Sequence, residues 1–169
     1  VNANGLVDYD INGTLRANEP NLGAYEYQSV ALDLQVEAMP YPAAPITLGA
    51  QDLAVRVRNN GGNTVTSFNV AYTLNNGTPV TQSWTGTLPS CGTTTVIFNN
   101  FNQITLGNGA NNIKVYTSTP NFLTDGNPSN DTLSTTLNPP LIGTYVVGVA
   151  PSDFTSVSDA AGAIAGRGI

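Results

Sequence analysis

Two runs of alternating apolar residues, separated by a short polar turn, constrain the fold of this chain more than any other feature. Both runs lie within Asp52–Leu74, and their apolar positions are Leu53, Val55 and Val57, then Phe68, Val70, Tyr72 and Leu74. Side chains alternate between the two faces of a β-strand, so each run predicts a strand with one apolar and one polar face. The glycine-containing segment Asn59–Asn63 predicts a turn between them. Because such a pair is not stable alone in water, it requires a second sheet against its apolar face.

Five further segments have the length and composition of β-strands. They alternate apolar and polar residues or are rich in β-branched residues, and Gly, Pro or Asn separates them. The predicted strands are residues 29–40, 53–57, 68–74, 80–85, 93–98, 113–116 and 132–137. Pro40 is expected to end the first strand. The predicted fold is all-β: a seven-stranded immunoglobulin-like β-sandwich with short flanking β segments and one short C-terminal helix.

The composition excludes several classes of function. The chain has 169 residues, with five Lys and Arg against eleven Asp and Glu, and its net charge of −6 opposes nucleic-acid binding. It contains no His, which excludes Ser–His–Asp triads and histidine metal ligands. The single cysteine, Cys91, cannot form an intrachain disulfide, and we expect it to be a small buried apolar residue. Since no apolar run is long enough to span a bilayer, we expect no membrane insertion.

The middle of the chain resembles bacterial CARDB-type adhesion-related domains. The resemblance combines a V-x-V strand followed by N-N-G, an S-F-x-V-x-Y strand, and N-P-S-N-D-T before the last strand. The matching residues are Val55, Val57, Asn60, Gly61, Ser67, Phe68, Val70, Tyr72, Asn127, Asn130 and Asp131. The resemblance implies an extracellular spacer or adhesion module, which in some proteins lies beside catalytic domains.

Residues 1–29 resemble the final coil of right-handed parallel β-helix domains in secreted Bacteroidetes-type proteins. A D-x-D-x-x-G-x-x-R pattern is followed by G-A-Y-E-Y. The matching residues are Asp8, Asp10, Gly13, Arg16, Gly23, Ala24, Tyr25, Glu26 and Tyr27. The chain departs from the family at Thr14-Leu15, where Asn-Pro is common. The resemblance implies a preceding β-helix module and, through the Bacteroidetes likeness, export by the type IX pathway.

The C-terminal residues 140–169 differ in character from the sandwich. Thr144–Val149 predicts a short strand. A helix is predicted after it by the apolar spacing of Val157, Ala160, Ala161 and Ile164, with Ser156 or Ser158 as the N-terminal cap and Gly166 or Gly168 at the C-terminal end.

The same segment resembles the opening of another β-helix domain, in which an N-terminal helix caps the first coil. The matching residues are Gly143, Thr144, Tyr145, Gly148, Asp153, Phe154, Ser158, Asp159, Ala160, Arg167, Gly168 and Ile169. We therefore expect the end of one β-helix module at 1–29, an Ig-like CARDB-type sandwich at 30–139, and the start of a following β-helix module at 140–169. Val1 is not an initiator methionine, so we expect the chain to belong to a longer protein.

One loop has oxygen-bearing side chains in an arrangement suited to Ca²⁺. Asp125, Asn127 and Asp131 surround a turn at Gly126, and hard cations prefer several oxygen ligands. The spacing only loosely resembles an EF-hand, and no Glu follows at the distal position. The alternative, which we favour, is that these side chains form Asx turns and cap the start of the next strand. No other cofactor is predicted.

Three aromatic residues are candidates for a platform that stacks on sugar rings. They are Trp84, the only tryptophan, together with Tyr72 and Tyr116. Large aromatic side chains more often pack in a core or along a sheet edge, and this is the alternative.

The leading hypothesis is a non-catalytic structural or adhesion module of a long secreted or cell-surface protein. Its expected partners are neighbouring modules of the same chain and surface polysaccharide or other cells, with no nucleic acid. The rival hypothesis is an accessory domain of an extracellular polysaccharide-degrading enzyme, with weak carbohydrate binding. Paired carboxylates such as Asp8 and Asp10 suit glycoside chemistry in principle. Loop Asp residues usually bond to their own backbone, so we predict no catalysis in this chain.

Overall fold

A computed structural model describes residues 30–167 of the chain, together with Tyr9, Gly13 and Leu15. The chain divides into two units, Val1–Val30 and Ala31–Ile169. In the first unit, Tyr9 and Leu15 form an isolated antiparallel bridge. Of the residues that carry the β-helix resemblance of 1–29, only Gly13 is among the described residues, and that resemblance stays a prediction.

The described residues of the second unit form nine β-strands and one α-helix. The strands are β1 Leu34–Tyr41, β2 Gly49–Gln51, β3 Leu53–Asn59, β4 Val65–Leu74, β5 Val80–Leu88, β6 Thr93–Phe98, β7 Ile104–Leu106, β8 Asn111–Ser118 and β9 Thr132–Leu137, and the helix is α1 Val157–Ala165. Short 3-10 helices lie at Asn100–Asn102 and Pro120–Phe122. All pairings between these strands are antiparallel, and the sheet orders are β1-β3-β6, β5-β4-β8-β9 and the small pair β2-β7. The predicted all-β sandwich is confirmed: its seven predicted strands are the seven longer ones, and β2 and β7 are additions.

The core lies between the three-stranded and the four-stranded sheet. The alternating residues of β3 are fully buried, and so are Phe68, Val70 and Tyr72 of β4, which confirms the predicted register. Leu74, predicted on the same face, is only half-buried because it lies at the last residue of its strand. Tyr72 contacts Phe98 of the opposite sheet edge-on, with ring centroids 5.1 Å apart. Aromatic contact between the sheets thus adds to aliphatic burial.

The first strand does not end where the sequence predicts. β1 continues through Pro40 to Tyr41. It lies at the edge of its sheet, where a residue without an N–H costs no ladder hydrogen bond. Register shifts after Val36 and Ala38 accommodate the irregular end of the strand.

The start of β1 and the end of β9 lie at opposite ends of the sandwich. Leu34 pairs with Asn59, so β1 begins where β3 ends. The turn after Asn59 leads into β4, which begins at the same end and finishes at the other with Leu74. We call the end of the sandwich at which β1 begins the entry pole, and we define it by residues 31–33 and the turn 60–64.

The last strand runs in the same direction as the first. Leu74 pairs with Ile113 near the start of β8, and Asn111 at that start pairs with Leu137, the end of β9. The chain therefore leaves the sandwich beside Leu74, opposite the entry pole. We call this end the exit pole and define it by Leu74, Asn111 and Leu137. β1 has eight residues, so the poles are about 25 Å apart along the strands.

The helix predicted in the C-terminal segment is confirmed, whereas the predicted strand is not. α1 begins after Ser156, whose side chain accepts a hydrogen bond from the backbone N–H of Asp159 at 3.0 Å. None of its described residues is buried. Over 144–149, the described backbone forms only an isolated parallel bridge, between Val147 and Phe154. Since no neighbouring strand is present in the described chain, this segment has no ladder to join.

Candidate functional site

The three aromatic residues proposed as a sugar platform do not share a surface. Tyr72 is 4% exposed, and its hydroxyl donates to the carbonyl oxygens of Asn102 and Gln103 at 3.1 and 2.8 Å. Trp84 is stacked on Phe68, with centroids 4.7 Å apart, and packs against the core. Tyr116 lies on the other face of the four-stranded sheet because its neighbour Val115 points into the core. This trio does not form a platform, and Tyr72 and Trp84 serve packing, which is the alternative that the sequence favoured.

A different aromatic residue lies beside a groove on the outer face of the four-stranded sheet. Phe122, in the second 3-10 helix, is 87% exposed. The adjacent groove has a volume of about 150 Å³ at the β4–β5 ladder. Its lining consists of Ser67, Phe68, Asn69, Ser83, Trp84, Thr85, Thr119 and Phe122. Sequence analysis missed this residue, although Phe122 and Leu123 form an apolar pair in an otherwise polar loop.

One asparagine side chain fixes the position of Phe122. The Oδ1 atom of Asn121 accepts hydrogen bonds from the backbone N–H groups of Thr66 and Ser67, at 2.7 and 3.3 Å, and from the Thr66 hydroxyl at 3.0 Å. Its Nδ2 atom donates to the carbonyl oxygen of Thr64 at 3.1 Å. The segment that carries Phe122 is therefore tied to the start of β4 by both ends of one amide group.

The backbone around Phe122 is in an uncommon conformation. Thr119, Asn121 and Phe122 have φ values of 52°, 50° and 63°, in the left-handed region that non-glycine residues rarely adopt. Each such residue costs free energy, which surrounding contacts must offset. The four hydrogen bonds of Asn121 supply that offset. They hold the backbone of this segment in the left-handed conformation and so fix the position of the exposed Phe122 ring.

The polar groups of the groove form a neutral, connected row. Ser83 donates from Oγ to Asn69 Oδ1 at 2.7 Å, and Asn69 donates from Nδ2 to Thr119 Oγ1 at 3.2 Å. Ser67 and Thr85 add hydroxyl groups to the same lining. None of the lining residues carries a charge. The groove therefore offers hydroxyl and amide groups with fixed orientations beside an aromatic ring.

The predicted calcium ligands are engaged in hydrogen bonds with the protein. Asp125 Oδ1 accepts from the Asn127 N–H at 2.9 Å, which is an Asx turn, and Asn127 Oδ1 accepts from the Ser129 hydroxyl at 2.6 Å. Asp131 Oδ1 accepts from the Thr117 hydroxyl at 3.2 Å. In the part of the chain that the structure describes, no three Cys, Asp or Glu side chains are grouped to hold a metal. The contacts match the Asx-turn alternative, and calcium binding at these residues stays a prediction.

This acidic loop closes over the entry pole. Asp125 Oδ2 accepts from the Leu34 N–H at 2.7 Å, and the Gly126 N–H donates to the carbonyl oxygen of Leu32 at 2.8 Å. The Asn130 carbonyl accepts from the Val36 N–H at 3.2 Å, which joins β1 to the segment that precedes β9 in the opposite sheet. The loop thus anchors the entering chain.

Three acidic residues lie near this pole, and burial together with the neighbouring charges alters the pKa of one of them, Asp131. Burial raises the pKa of Asp131 to about 6, and the negative charge of Asp125 adds to this increase. The hydrogen bond from Thr117 lowers the pKa, while the charge of Asp33 raises it further. Asp33 is itself buried and accepts from Asn130 Nδ2 at 2.9 Å. The folded chain therefore favours a protonated Asp131 in mildly acidic solution.

Cys91 is exposed, contrary to the prediction that it is buried. It lies in the turn between β5 and β6 with a left-handed φ of 61°, and its N–H donates to the carbonyl oxygen of Asn59 at 2.8 Å. The hydrogen bond to Asn59 fixes the Cys91 backbone in the turn beside the entry pole, and the side chain is left exposed. It is a turn residue and has no apolar packing role.

The C-terminal segment contains an open apolar pocket. It has a volume of about 390 Å³ and is lined by Leu141, Gly143, Tyr145, Val147, Phe154, Ala160 and Ile164. Tyr145 and Phe154 contact each other with centroids 5.7 Å apart. Among the described helices, none is long and apolar enough to cross a membrane.

A comparison with protein families matches residues 48–130 to the model described as "Cellulose binding domain". The matched span contains the whole lining of the Phe122 groove. No curated protein sequence matches the chain.

Several solved structures are similar to this chain. The solution structure of the CARDB domain of a Pyrococcus furiosus protein is 23% identical, with a TM-score of 0.50, and the match covers 64% of this chain and 95% of that one. A crystal structure of the same domain in complex with di-metal ions is 21% identical, with a TM-score of 0.47, covering 69% and 98%. A domain from Methanosarcina acetivorans, described as from a cell surface protein, is 26% identical, with a TM-score of 0.48, covering 65% and 93%. The first of these likenesses supports an immunoglobulin-like fold of the CARDB type.

Proposed function

We propose that this chain is a non-catalytic extracellular module that spaces and presents the modules on either side of it in a longer secreted or cell-surface protein. The observation that carries the proposal is the position of the two poles. The chain enters the sandwich at residues 31–33 and leaves it after Leu137, about 25 Å away along the strands. A module with this arrangement extends a chain, whereas one with adjacent ends would fold it back.

The attachments at both poles support this proposal. At the entry pole, the Asn63 N–H donates to the carbonyl oxygen of Ala31 at 2.9 Å, and the Asn60 N–H donates to that of Asp33 at 2.7 Å. At the exit pole, Asn111 Nδ2 donates to the carbonyl oxygen of Leu137 at 3.2 Å. Because the chain is fixed where it enters and where it leaves the sandwich, the orientation of one neighbouring module constrains that of the next.

The exposed apolar surface of the C-terminal segment supports contact with a neighbouring module of the same chain. Its apolar pocket and the exposed apolar side chains of Ile142 and Val149 have no cover among the described residues. Exposed apolar surface of this kind is characteristic of contact sites between modules. In our proposal, the module that follows covers this segment, in keeping with the resemblance of 140–169 to the opening of a β-helix.

Mechanical unfolding tests the spacer role. Pulling from the two ends of the chain loads β1 and β9 along their length, so that every ladder hydrogen bond of a strand resists at once. A control pulls between residues 63 and 91, both at the entry pole, with Asn63 replaced by Cys to provide the second attachment. We expect one cooperative event for the end-to-end geometry, releasing about 3.3–3.6 Å per residue over 31–137, at a higher force than in the control. Equal forces or stepwise peeling would contradict the proposal.

A second candidate function is binding of polysaccharide as an accessory module of a carbohydrate-active protein. It is favoured by the match of residues 48–130 to the cellulose-binding model and by the aromatic groove within that span. Depletion of the chain from solution by microcrystalline cellulose, insoluble xylan and chitin tests it. Saturable depletion by one of them, reversed by the corresponding soluble oligosaccharide, is expected. Depletion by none of the three, together with no retardation by soluble polysaccharides, would exclude this function.

A further inference from the structure

The least expected feature of the outer face of the four-stranded sheet is the solvent-exposed aromatic ring of Phe122. Phe122 is 87% exposed, although a single exposed apolar residue is by itself unremarkable. Here the ring follows two other residues with left-handed backbone, Thr119 and Asn121, and Asn121 makes four hydrogen bonds to hold the segment. Strained backbone of this kind is concentrated at functional sites. The fold thus keeps the Phe122 ring exposed, although the left-handed backbone of this segment costs free energy.

The surroundings of the ring select a class of ligand. A sugar ring has one face of C–H groups and a rim of hydroxyl groups. The C–H groups are attracted to the electron-rich face of an aromatic ring, and the hydroxyl groups need fixed donors and acceptors. Phe122 supplies the first requirement, and Ser67, Asn69, Ser83 and Thr85 supply the second within the adjoining groove.

Charge excludes the main competitors. The groove residues are all neutral, so nothing in it would pair with a phosphate, sulfate or uronate group. A nucleic acid would also stack on Phe122, but its backbone requires clustered Lys or Arg, and the four-stranded sheet contributes only Lys114. The groove is small, with a volume of about 150 Å³, which suits a single ring of a longer sugar chain.

We propose that Phe122 and the groove beside it form a subsite for one neutral sugar ring of a polysaccharide, with the aromatic ring stacking on the sugar and the Ser67–Asn69–Ser83 side of the groove binding its hydroxyl groups. This deepens, and rests on, the second candidate function above. Asn121 acts as a positioning residue because it holds Phe122 without reaching the groove lining itself.

Affinity electrophoresis of the whole chain in native gels tests this subsite. The gels contain one soluble polysaccharide each: hydroxyethylcellulose, mixed-linkage β-glucan, xyloglucan or galactomannan as neutral probes, and polygalacturonate and alginate as anionic probes. The variants are Phe122→Ala, Phe122→Tyr and Phe101→Ala. Phe101 is the matched control because it is also a fully exposed Phe in a 3-10 helix, outside the groove lining.

We expect at least one neutral polysaccharide to retard the chain. Phe122→Ala should weaken the interaction by on the order of tenfold or more, while Phe122→Tyr and Phe101→Ala retain it. Thermal melts of all variants should coincide, since neither ring is buried, so lost binding will not reflect lost folding.

The remaining outcomes overturn the proposal in distinguishable ways. If the chain is retarded and Phe122→Ala is retarded equally, the polysaccharide function stands and this subsite is wrong. If no neutral probe retards the chain, and insoluble polysaccharides also fail to deplete it, both the function and the subsite are wrong. If only the anionic probes retard the chain, the proposed ligand class is wrong. The groove has no cationic side chain, so anionic polysaccharides would have to bind elsewhere on the chain.

Discussion

Asn111 holds the last residue of the sandwich: its Nδ2 atom donates to the carbonyl oxygen of Leu137 at 3.2 Å. The same amide group donates to the carbonyl oxygens of Gly107 and Gly109, at 3.1 and 2.9 Å, and its Oδ1 accepts from the Gly107 N–H at 2.8 Å. The side chain is 1% exposed. One buried asparagine therefore joins the β7–β8 loop to the point where the chain leaves the fold.

Replacing this side chain should destabilise the sandwich measurably. Asn111→Ala removes the four hydrogen bonds of a buried side chain, and we expect it to lower the free energy of unfolding by about 1–3 kcal/mol. Urea denaturation of the variant and the parent measures the loss. The control is Asn112→Ala, whose side chain is exposed and should change stability by no more than about 0.5 kcal/mol. Equal losses in the two variants would mean that Asn111 does not anchor the exit pole.

Gly61 is required at the entry pole because of close backbone packing. A Cβ atom at this position would lie 2.7 Å from both the carbonyl oxygen of Ala31 and the N atom of Asp33. These are backbone atoms that cannot move aside, so Gly61→Ala should destabilise the chain by about 1–3 kcal/mol. Gly109→Ala is the control, because a Cβ there meets nothing within 4 Å. A thermal melt in which Gly61→Ala matches Gly109→Ala would show that the entering chain is not packed on the turn.

Stability should depend on the protonation of Asp131. Its pKa is raised to about 6 in the folded chain, above the ordinary value of 3.8, so the folded state binds the proton more tightly than the unfolded state does. The contribution of Asp131 to stability is therefore greatest below about pH 4 and declines as the pH rises to about 6. Asn is uncharged and keeps an acceptor for Thr117. Asp131→Asn should accordingly raise the melting temperature at pH 7 and leave it nearly unchanged at pH 4. A variant that melts below the parent at pH 7 would refute this assignment.

Calcium should have little effect on the chain. Both carboxylate oxygens of Asp125 and the Oδ1 of Asn127 already accept hydrogen bonds from protein groups. A cation bound only by the native state would raise the melting temperature by mass action, and we expect no such increase on addition of Ca²⁺. An increase that Asp125→Asn abolishes would instead establish the loop as a calcium site.

The boundary between residues 139 and 140 should be visible in hydrogen exchange. α1 has no buried residue among those described, whereas Val55 and Val70 are fully buried in the sandwich. We expect fast amide exchange at Val146 and Ile164 and slow exchange at Val55 and Val70, since local opening costs less where few apolar contacts are lost. Uniform protection would show that the C-terminal segment is an integral part of the sandwich.

Apolar alternation and β-branched composition between turn residues were enough to predict the seven main strands, and alternation alone predicted the buried faces of β3 and β4. This succeeded because each of these strands packs against one opposing sheet, so burial follows the two-residue period of the backbone. It failed at β2 and β7, which have three residues each and are too short to show a period. It also failed at Pro40, because an edge strand tolerates a proline that a central strand would not.

The candidate site depended on long-range contacts that no local pattern contains. Asn121 reaches Thr64 and Thr66 across more than fifty residues of sequence, and only this pairing presents Phe122 beside the β4–β5 ladder. Likewise, Asp33, Asp125 and Asp131 interact only because β1 begins beside the loop that precedes β9. The sequence by itself determined which segments are strands and which of their faces are apolar, since both follow from local periodicity. The tertiary structure decided which loops meet at each pole and which aromatic ring remains in water, because these depend on strand order and register.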